Sequence, residues 1–278
     1  MRRPDDVRPR RADSGLRPPG ALSLARALSK LGVCSRREAE RWIADGRVEV
    51  NDRPERDPSH WIDPRRDRVS VDGRPVGEGS SPVVIALHKP VGFVTTRVDP
   101  GGRATVYDAL GDLGRWVFPV GRLDRDTSGL LILTNDHRLG ERLTSPEHQV
   151  PKTYHVRVAG IPEREALRAL REGLPLEDGA LTRPARVRVL GSARGSTWLE
   201  IVLKEGKNRQ VRRMCALVGH EVQQLVRVAI GRLTLEGLAV GEWRQPEPDE
   251  VARLSTTSSP QSRPPRVVSH GRLGRSAS

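Results

Sequence analysis

From Leu22 onward the apolar positions fall into periods that name their own elements. In LSLARALSKLG, residues Leu24, Ala25, Leu28 and Leu31 recur at helical spacing, and Gly32 ends the pattern. SRREAERWIADG repeats the period. Ala39, Trp42 and Ile43 form its apolar stripe, and Gly46 suits the helix exit. Ser35 and Glu38 open it at the spacing of a capping box, in which each side chain satisfies an exposed amide of the first turn. The period then falls to two. Val48 and Val50 alternate in RVEVNDRP, as do Val69 and Val71 in RVSVDGRPV, so two short helices should be followed by small strands. GEGSSP, Gly77 to Pro82, interrupts the pattern as a linker would.

Beyond it, VVIALHKP reads as a strand with a near-continuous apolar run. GRLDRDTSGLLILTND turns abruptly from charge to the apolar run Leu130 to Leu133, the pattern of a buried strand. KTYHVRVAG alternates as a strand, PEREALRALREGL is amphipathic with Leu167 and Leu170 on one face, and STWLEIVL is strand-like. NRQVRRMCALVG is helical, with Val211, Met214, Cys215 and Val218 inward and Gly219 at its exit. Regular strand–helix–strand alternation is missing, so the fold class is α+β with a mixed, largely antiparallel sheet. Residues 1–20 and 251–278 are rich in Pro, Arg, Ser and Gly and carry no period, which predicts disorder. The expected organisation is a basic tail 1–20, a small domain 22–76, a linker 77–82, a main domain 83–250 and a second basic tail 251–278.

Charge sharpens this picture. The 278 residues carry a net charge of +13, a field that favours polyanions. Residues 1–20 hold six Arg and three Asp, a net of +3, and residues 251–278 hold five Arg and no acid, a net of +5. The tails therefore carry most of the excess, either as solvated ends or as a non-specific attraction for RNA. No apolar stretch approaches the roughly 18 residues that span a bilayer, and the N-terminus lacks the apolar core of a secretory signal. Two cysteines, Cys34 and Cys215, make no disulfide framework or cysteine-based zinc site. No membrane partner and a cytoplasmic setting are expected.

Three stretches carry candidate chemistry. Asp124 and Asp126 lie two apart between Arg122 and Arg125 at the mouth of a buried strand. They are open to two readings: acid–base or nucleophilic chemistry by a partly desolvated carboxylate that a cation keeps ionised, or a charged loop whose ions pair and hold a turn. In LKEGKNRQVRRM, Lys204, Lys207, Arg209, Arg212 and Arg213 cluster around a helix start. Cations there oppose the helix dipole, a cost easier to understand if the site binds an anion; the alternative is a solvated cationic face. Tyr154, in PKTYHVRV, is either packing or a surface on which a base stacks.

In that order and spacing, GRLDRDTSGLLILTND, PKTYHVRV and LKEGKNRQVRRM resemble the three signature segments of the pseudouridine synthases, and more narrowly the RsuA/RluB-type ribosomal RNA subfamily. HKPVGFVTT and FPVGRLD resemble that subfamily too, and residues 22–71 resemble the S-four-type RNA-binding domain that precedes its catalytic domain. His88, His137 and Lys207 stand where Asn, Gly and Arg are usual. The resemblance implies an isomerase that detaches uridine at its glycosidic bond, rotates the uracil and reattaches it through carbon, with no cofactor or metal.

The same resemblance makes Asp124 the essential aspartate, attacking the sugar or taking its proton. Asp126 carries no catalytic role in it and would brace the loop. Lys207 would pair with Asp124, and Tyr154 would lie against the uracil. Arg122 and Arg125 would contact the RNA backbone or fill the gap left by the extruded base, and Arg209, Arg212 and Arg213 would contact phosphates. In the small domain, Lys30, Arg36, Arg37 and Arg41 would position the RNA without reading its sequence. The implied partner is ribosomal RNA or a ribosomal assembly intermediate, large-subunit RNA ahead of small-subunit RNA, acted on by a monomer. Two rival classes are weighed against this. A non-catalytic ribosome-associated RNA-binding protein has no need of the Asp–Tyr–Lys set, and an RNA methyltransferase needs a glycine-rich turn after a strand, which is not found after residue 83.

Overall fold

The computed structural model describes residues 21–64, 66–76 and 82–254. The tail 1–20, residues 255–278 of the second tail and residues 77–81 of the linker lie outside them. The chain divides after Ser80 into two compact units.

The first unit runs β1 (Leu22–Ser23), α1 (Leu24–Lys30), α2 (Arg36–Ala44), β2 (Val48–Val50), β3 (Arg53–Glu55), β4 (Trp61–Ile62), β5 (Val69–Val71) and β6 (Arg74–Val76). The capping box forms as its spacing predicts: the Glu38 amide donates to Ser35 Oγ at 3.2 Å, and the Ser35 amide donates to Glu38 Oε2 at 3.0 Å. Four strands make an antiparallel sheet in the order β3-β2-β5-β6. Its hairpins turn through Asn51–Asp52 and Asp72–Gly73, all four at positive φ, a geometry that matches the right-handed twist of the strands. Leu24, Leu28, Ile43, Val48 and Ile62 form the core of this unit.

The second unit continues with β7 (Val84–Lys89), α3 (Val106–Leu110), β8 (Phe118–Pro119), β9 (Ser128–Thr134), α4 (His137–Thr144), β10 (Lys152–Ala159), α5 (Arg164–Glu172), β11 (Arg186–Ala193) and β12 (Ser196–Leu203). It ends with α6 (Gln210–Leu217), β13 (Val222–Ile230), β14 (Leu233–Thr234), β15 (Trp243–Arg244) and α7 (Pro248–Leu254). Nine strands form one mixed, largely antiparallel sheet in the order β11-β12-β10-β13-β9-β7-β15, with β14 on β13 and β8 on β9. The apolar run at Leu130–Leu133 is explained by its place. β9 is covered on both faces, Leu130 and Ile132 packing into one core and Leu131 and Leu133 into another, so it cannot alternate with polar residues.

Two antiparallel halves of the sheet meet at a parallel pairing of only two positions, Ser128 with Val226 and Gly129 with Arg227. Residues 251–254, assigned to the basic tail from the sequence, belong instead to α7. Leu254 is fully buried in the core beside Ile230 and Leu233, so its apolar side chain holds the end of the unit in place. Among the described residues no helix is long and apolar enough to cross a membrane.

Candidate active site

The loop before β9 is held to the strand-end segment 89–95 at three backbone points. Thr95 Oγ1 donates to the Leu123 carbonyl at 2.8 Å and accepts from the Leu123 amide. The Gly92 amide donates to the Arg125 carbonyl at 2.7 Å. The Lys89 ammonium, fully buried, donates to the Thr127 carbonyl at 2.8 Å and the Pro90 carbonyl at 2.7 Å. Burial lowers the Lys89 pKa to about 8, while the charges of Asp124 and Asp126 oppose that fall. Between these anchors, the Thr127 amide closes a turn on the Asp124 carbonyl. Asp124 is thus presented on a fixed turn with about a third of its side chain exposed.

The helix α6 starts from Arg209, which sits in the left-handed region at φ 46° and ψ 31°, a conformation costly for a side chain with a Cβ. That geometry sends its guanidinium to the 124–126 loop. Both Arg209 Nη atoms reach Asp126, at 3.2 and 3.0 Å, and Nη1 lies 3.5 Å from Asp124 Oδ2. Arg212 donates to the Asp126 carbonyl at 2.8 Å and the Val222 carbonyl at 3.2 Å. Burial raises the Asp126 carboxyl, but the Arg209 hydrogen bonds and the Arg212 charge outweigh it and hold its pKa below the ordinary carboxylate value. The turn before the helix is locked separately. Gln210 accepts from the Lys207 amide and donates to buried Glu205 at 2.6 Å, and Glu205 in turn accepts from the Arg183 amide.

These two loops flank a cleft of about 370 Å³, the size class of a small-molecule site. Asp124, Arg122, Lys207 and Arg209 line it from the loops, while Lys152 and Tyr154 of β10 and Arg227 of β13 line it from the sheet. Tyr154 is half-buried and lies directly across the β10–β13 ladder from Arg227.

A family model described as RNA pseudouridylate synthase matches residues 83–217, and one described as S4 domain matches residues 23–64. An uncharacterised RNA pseudouridine synthase of Aquifex aeolicus is 40% identical over 228 residues, covering 82% of this chain and 91% of the relative. This chain belongs to the RNA pseudouridylate synthase family. Ribosomal large subunit pseudouridine synthase B of Bacillus subtilis is 39% identical over 83% of this chain and 94% of its own. A crystal structure of a pseudouridylate synthase superposes with a TM-score of 0.61 at 30% identity, covering 83% of this chain and 98% of that one.

In this pseudouridine synthase the three sequence segments converge on one cleft, but their ions pair differently from the sequence expectation. Asp124 has Arg209 as its ion partner, while Lys207 Nζ lies 4.0 Å from Glu205 Oε2. The expected Lys207–Asp124 pair is therefore replaced, because the left-handed turn at Arg209 aims that side chain across the cleft. Arg212 and Arg213, expected at phosphates, are engaged within the protein. Arg213 forks to Glu177 at 2.8 Å and Asp178 at 3.0 Å, away from the cleft, and the side chains of Arg212 and Arg213 are both largely buried. Asp126 braces the loop, and is the anion that the cationic helix start holds. Arg125 is exposed on the loop. In the first unit Lys30, Arg36, Arg37 and Arg41 are all exposed, with Arg36 within 3.4 Å of Glu40. Sequence reasoning missed Lys89, Lys152 and Arg227. Lys89 and Lys152 stood inside quoted motifs, and the only available signal was a lysine embedded in an apolar strand pattern.

Proposed function

We propose that this pseudouridine synthase acts on ribosomal RNA of the large subunit and that Asp124 is its essential carboxylate. The carrying observation is the cleft: an aspartate on a fixed turn, paired with the Arg209 guanidinium at 3.5 Å, faces a half-buried tyrosine across a space of about 370 Å³, the size class of a small-molecule site. The glycosidic carbon of a stacked uridine is out of reach, so the nucleotide must flip into this space, at a cost of about a few kcal/mol for unstacking. Tyr154 then lies against the uracil. Asp124 attacks the sugar or takes its proton. Arg209 pairs with Asp124 and aims it, and Lys207 and Arg122 meet the phosphates beside the extruded nucleotide. Arg125 contacts the backbone on the outer side of the loop.

Large-subunit RNA is favoured because the relative from Bacillus subtilis, named for that subunit, matches over nearly its whole length. The reading puts the enzyme with its RNA in the cytoplasm. The test is direct: protein-free large- and small-subunit RNA are each incubated with the enzyme, and pseudouridines are mapped. New pseudouridine should arise in the large-subunit RNA alone. Modification confined to small-subunit RNA overturns the assignment.

The first unit supplies affinity through Lys30, Arg36, Arg37 and Arg41. Removing residues 1–80 should leave a folded enzyme, because the apolar cores of the second unit are built from residue 83 onward. Each lost phosphate contact lowers the slope of log affinity against log salt by about 0.7 to 0.9. In single-turnover assays the half-saturating RNA concentration should rise and the maximal rate should hold. Loss of the maximal rate in a folded truncation would make the first unit part of the catalytic assembly.

A further inference from the structure

Two cations on the sheet side of the cleft have no role in the scheme so far. Lys152 stands two positions before Tyr154, and side chains two apart on a strand share a face, so both project into the cleft. Arg227 lies opposite Tyr154 on the neighbouring strand. Its side chain is 5% exposed, Nε donates to the Leu130 carbonyl at 2.7 Å, and Nη2 is buried with no partner. Among the described residues no carboxylate lies within ion-pair distance of either cation. Burial, reinforced by the Arg227 charge, lowers the Lys152 pKa to about 8. Folding has therefore placed two like charges side by side in a partly desolvated floor without a counter-ion, an arrangement that is unfavourable until an anion arrives.

The chemistry assigned to the cleft generates one. When the C1′–N1 bond breaks, its electron pair leaves with the ring, and the charge spreads from N1 onto O2 and O4. After rotation C5 bonds to C1′, C5 releases its proton and N1 gains one, so the ring leaves neutral. We propose that Lys152 and Arg227 form the receptor for a uracil carbonyl oxygen and hold the negative charge that the detached ring carries between the two bonds. No proton is drawn from Lys152 in this balance; it acts as a fixed donor where charge develops. Apolar Leu203, Leu225 and Ile230 line the same cleft, surroundings that suit a flat heterocycle rather than a hydrated phosphate, while the rim cations Lys207 and Arg122 are placed for phosphates. The proposal rests on the cleft being the uridine site.

The test is single-turnover conversion at saturating RNA by wild type, Lys152→Met and Lys152→Arg, on targets carrying oxygen or sulfur at position 2 or 4 of the reacting uracil. Lys152→Met should slow the reaction by about 10² to 10³, as loss of one oxyanion donor does, with RNA affinity little changed. Lys152→Arg should recover most of the rate. Sulfur at one of the two positions should slow the wild type and have no further effect in Lys152→Met. Removing an unpaired, partly buried cation should also raise the melting temperature, whereas loss of a purely structural lysine would lower it. A full rate in Lys152→Met, or a sulfur effect undiminished in it, overturns the proposal. So does weaker RNA binding with an unchanged rate, which marks a phosphate contact. Asp124→Asn is run alongside. If it is inactive while Lys152→Met is at full rate, only the carbonyl receptor is wrong; if it is active, the cleft is not the reacting site and the receptor falls with it.

Discussion

Asp124→Asn is expected to reduce pseudouridine formation by at least about 10⁴-fold, the upper range for loss of a positioned acid–base group, while RNA binding survives. The amide is nearly isosteric with the carboxylate and keeps the turn closed by the Thr127 amide on the Asp124 carbonyl. It is neither a nucleophile nor a base. The pair it loses, with Arg209 at 3.5 Å, is partly exposed on both sides. Such pairs contribute no more than about 1 kcal/mol, and Arg209 keeps its two contacts to Asp126. Dissociation constants for substrate RNA should therefore stay within about fivefold of wild type. Release of tritium from C5-labelled uridine, or direct mapping of the product, reads the rate. Conversion by the variant at even a hundredth of the wild-type rate would remove Asp124 from the centre of the reaction.

Gly129→Ala should produce a large loss of stability from a single methyl group. Gly129 has φ +116°, and a Cβ built on it would lie 2.3 Å from the carbonyl oxygen and 2.5 Å from the amide nitrogen of Arg227. Both are backbone atoms of the neighbouring strand, so no side-chain rotation relieves the overlap. Left-handed backbone and overpacking together cost about 4 kcal/mol or more. The clash sits in the two-position pairing that joins the halves of the sheet, so activity should fall together with stability. Urea unfolding followed by far-ultraviolet circular dichroism checks this. An unchanged midpoint would mean that the halves can separate at Gly129 without cost.

The sequence made local structure legible and long-range pairing much less so. The capping box at Ser35 and Glu38, the stripe of α2 and the inward face of α6 depend on neighbours within a few turns, and their periods announce them. The site segments could be located because each is a contiguous run. What they do to one another could not be read, because it depends on strand register and on one backbone angle. The left-handed turn at Arg209 decides that Asp124 pairs with Arg209 and not with Lys207. The position of Arg227 opposite Tyr154 exists only once β13 lies beside β10. Short α3 and α4 also escaped: α3 has only five residues, too few to define a period, and α4 buries only Gly140 and Leu143, so no apolar stripe recurs along it. Their starts carry the signal instead, in Thr105 and Asp136, whose side chains accept from amides of the first turn.

The narrow junction between the sheet halves also orders events during synthesis. Before it forms, each half can pair its own strands: β7 with β9 on one side, β10 with β12 on the other. The contact that closes the cleft floor, Arg227 Nε to the Leu130 carbonyl, joins residues 97 positions apart, and contacts of such separation form late because the intervening chain must first lose its freedom. A nascent chain that has displayed Asp124 and Tyr154 therefore still lacks the strand that brings Arg227 to the cleft. If this cleft is the reacting centre, it is complete only once β13 has emerged and docked, and a partly made chain should not act on RNA nearby.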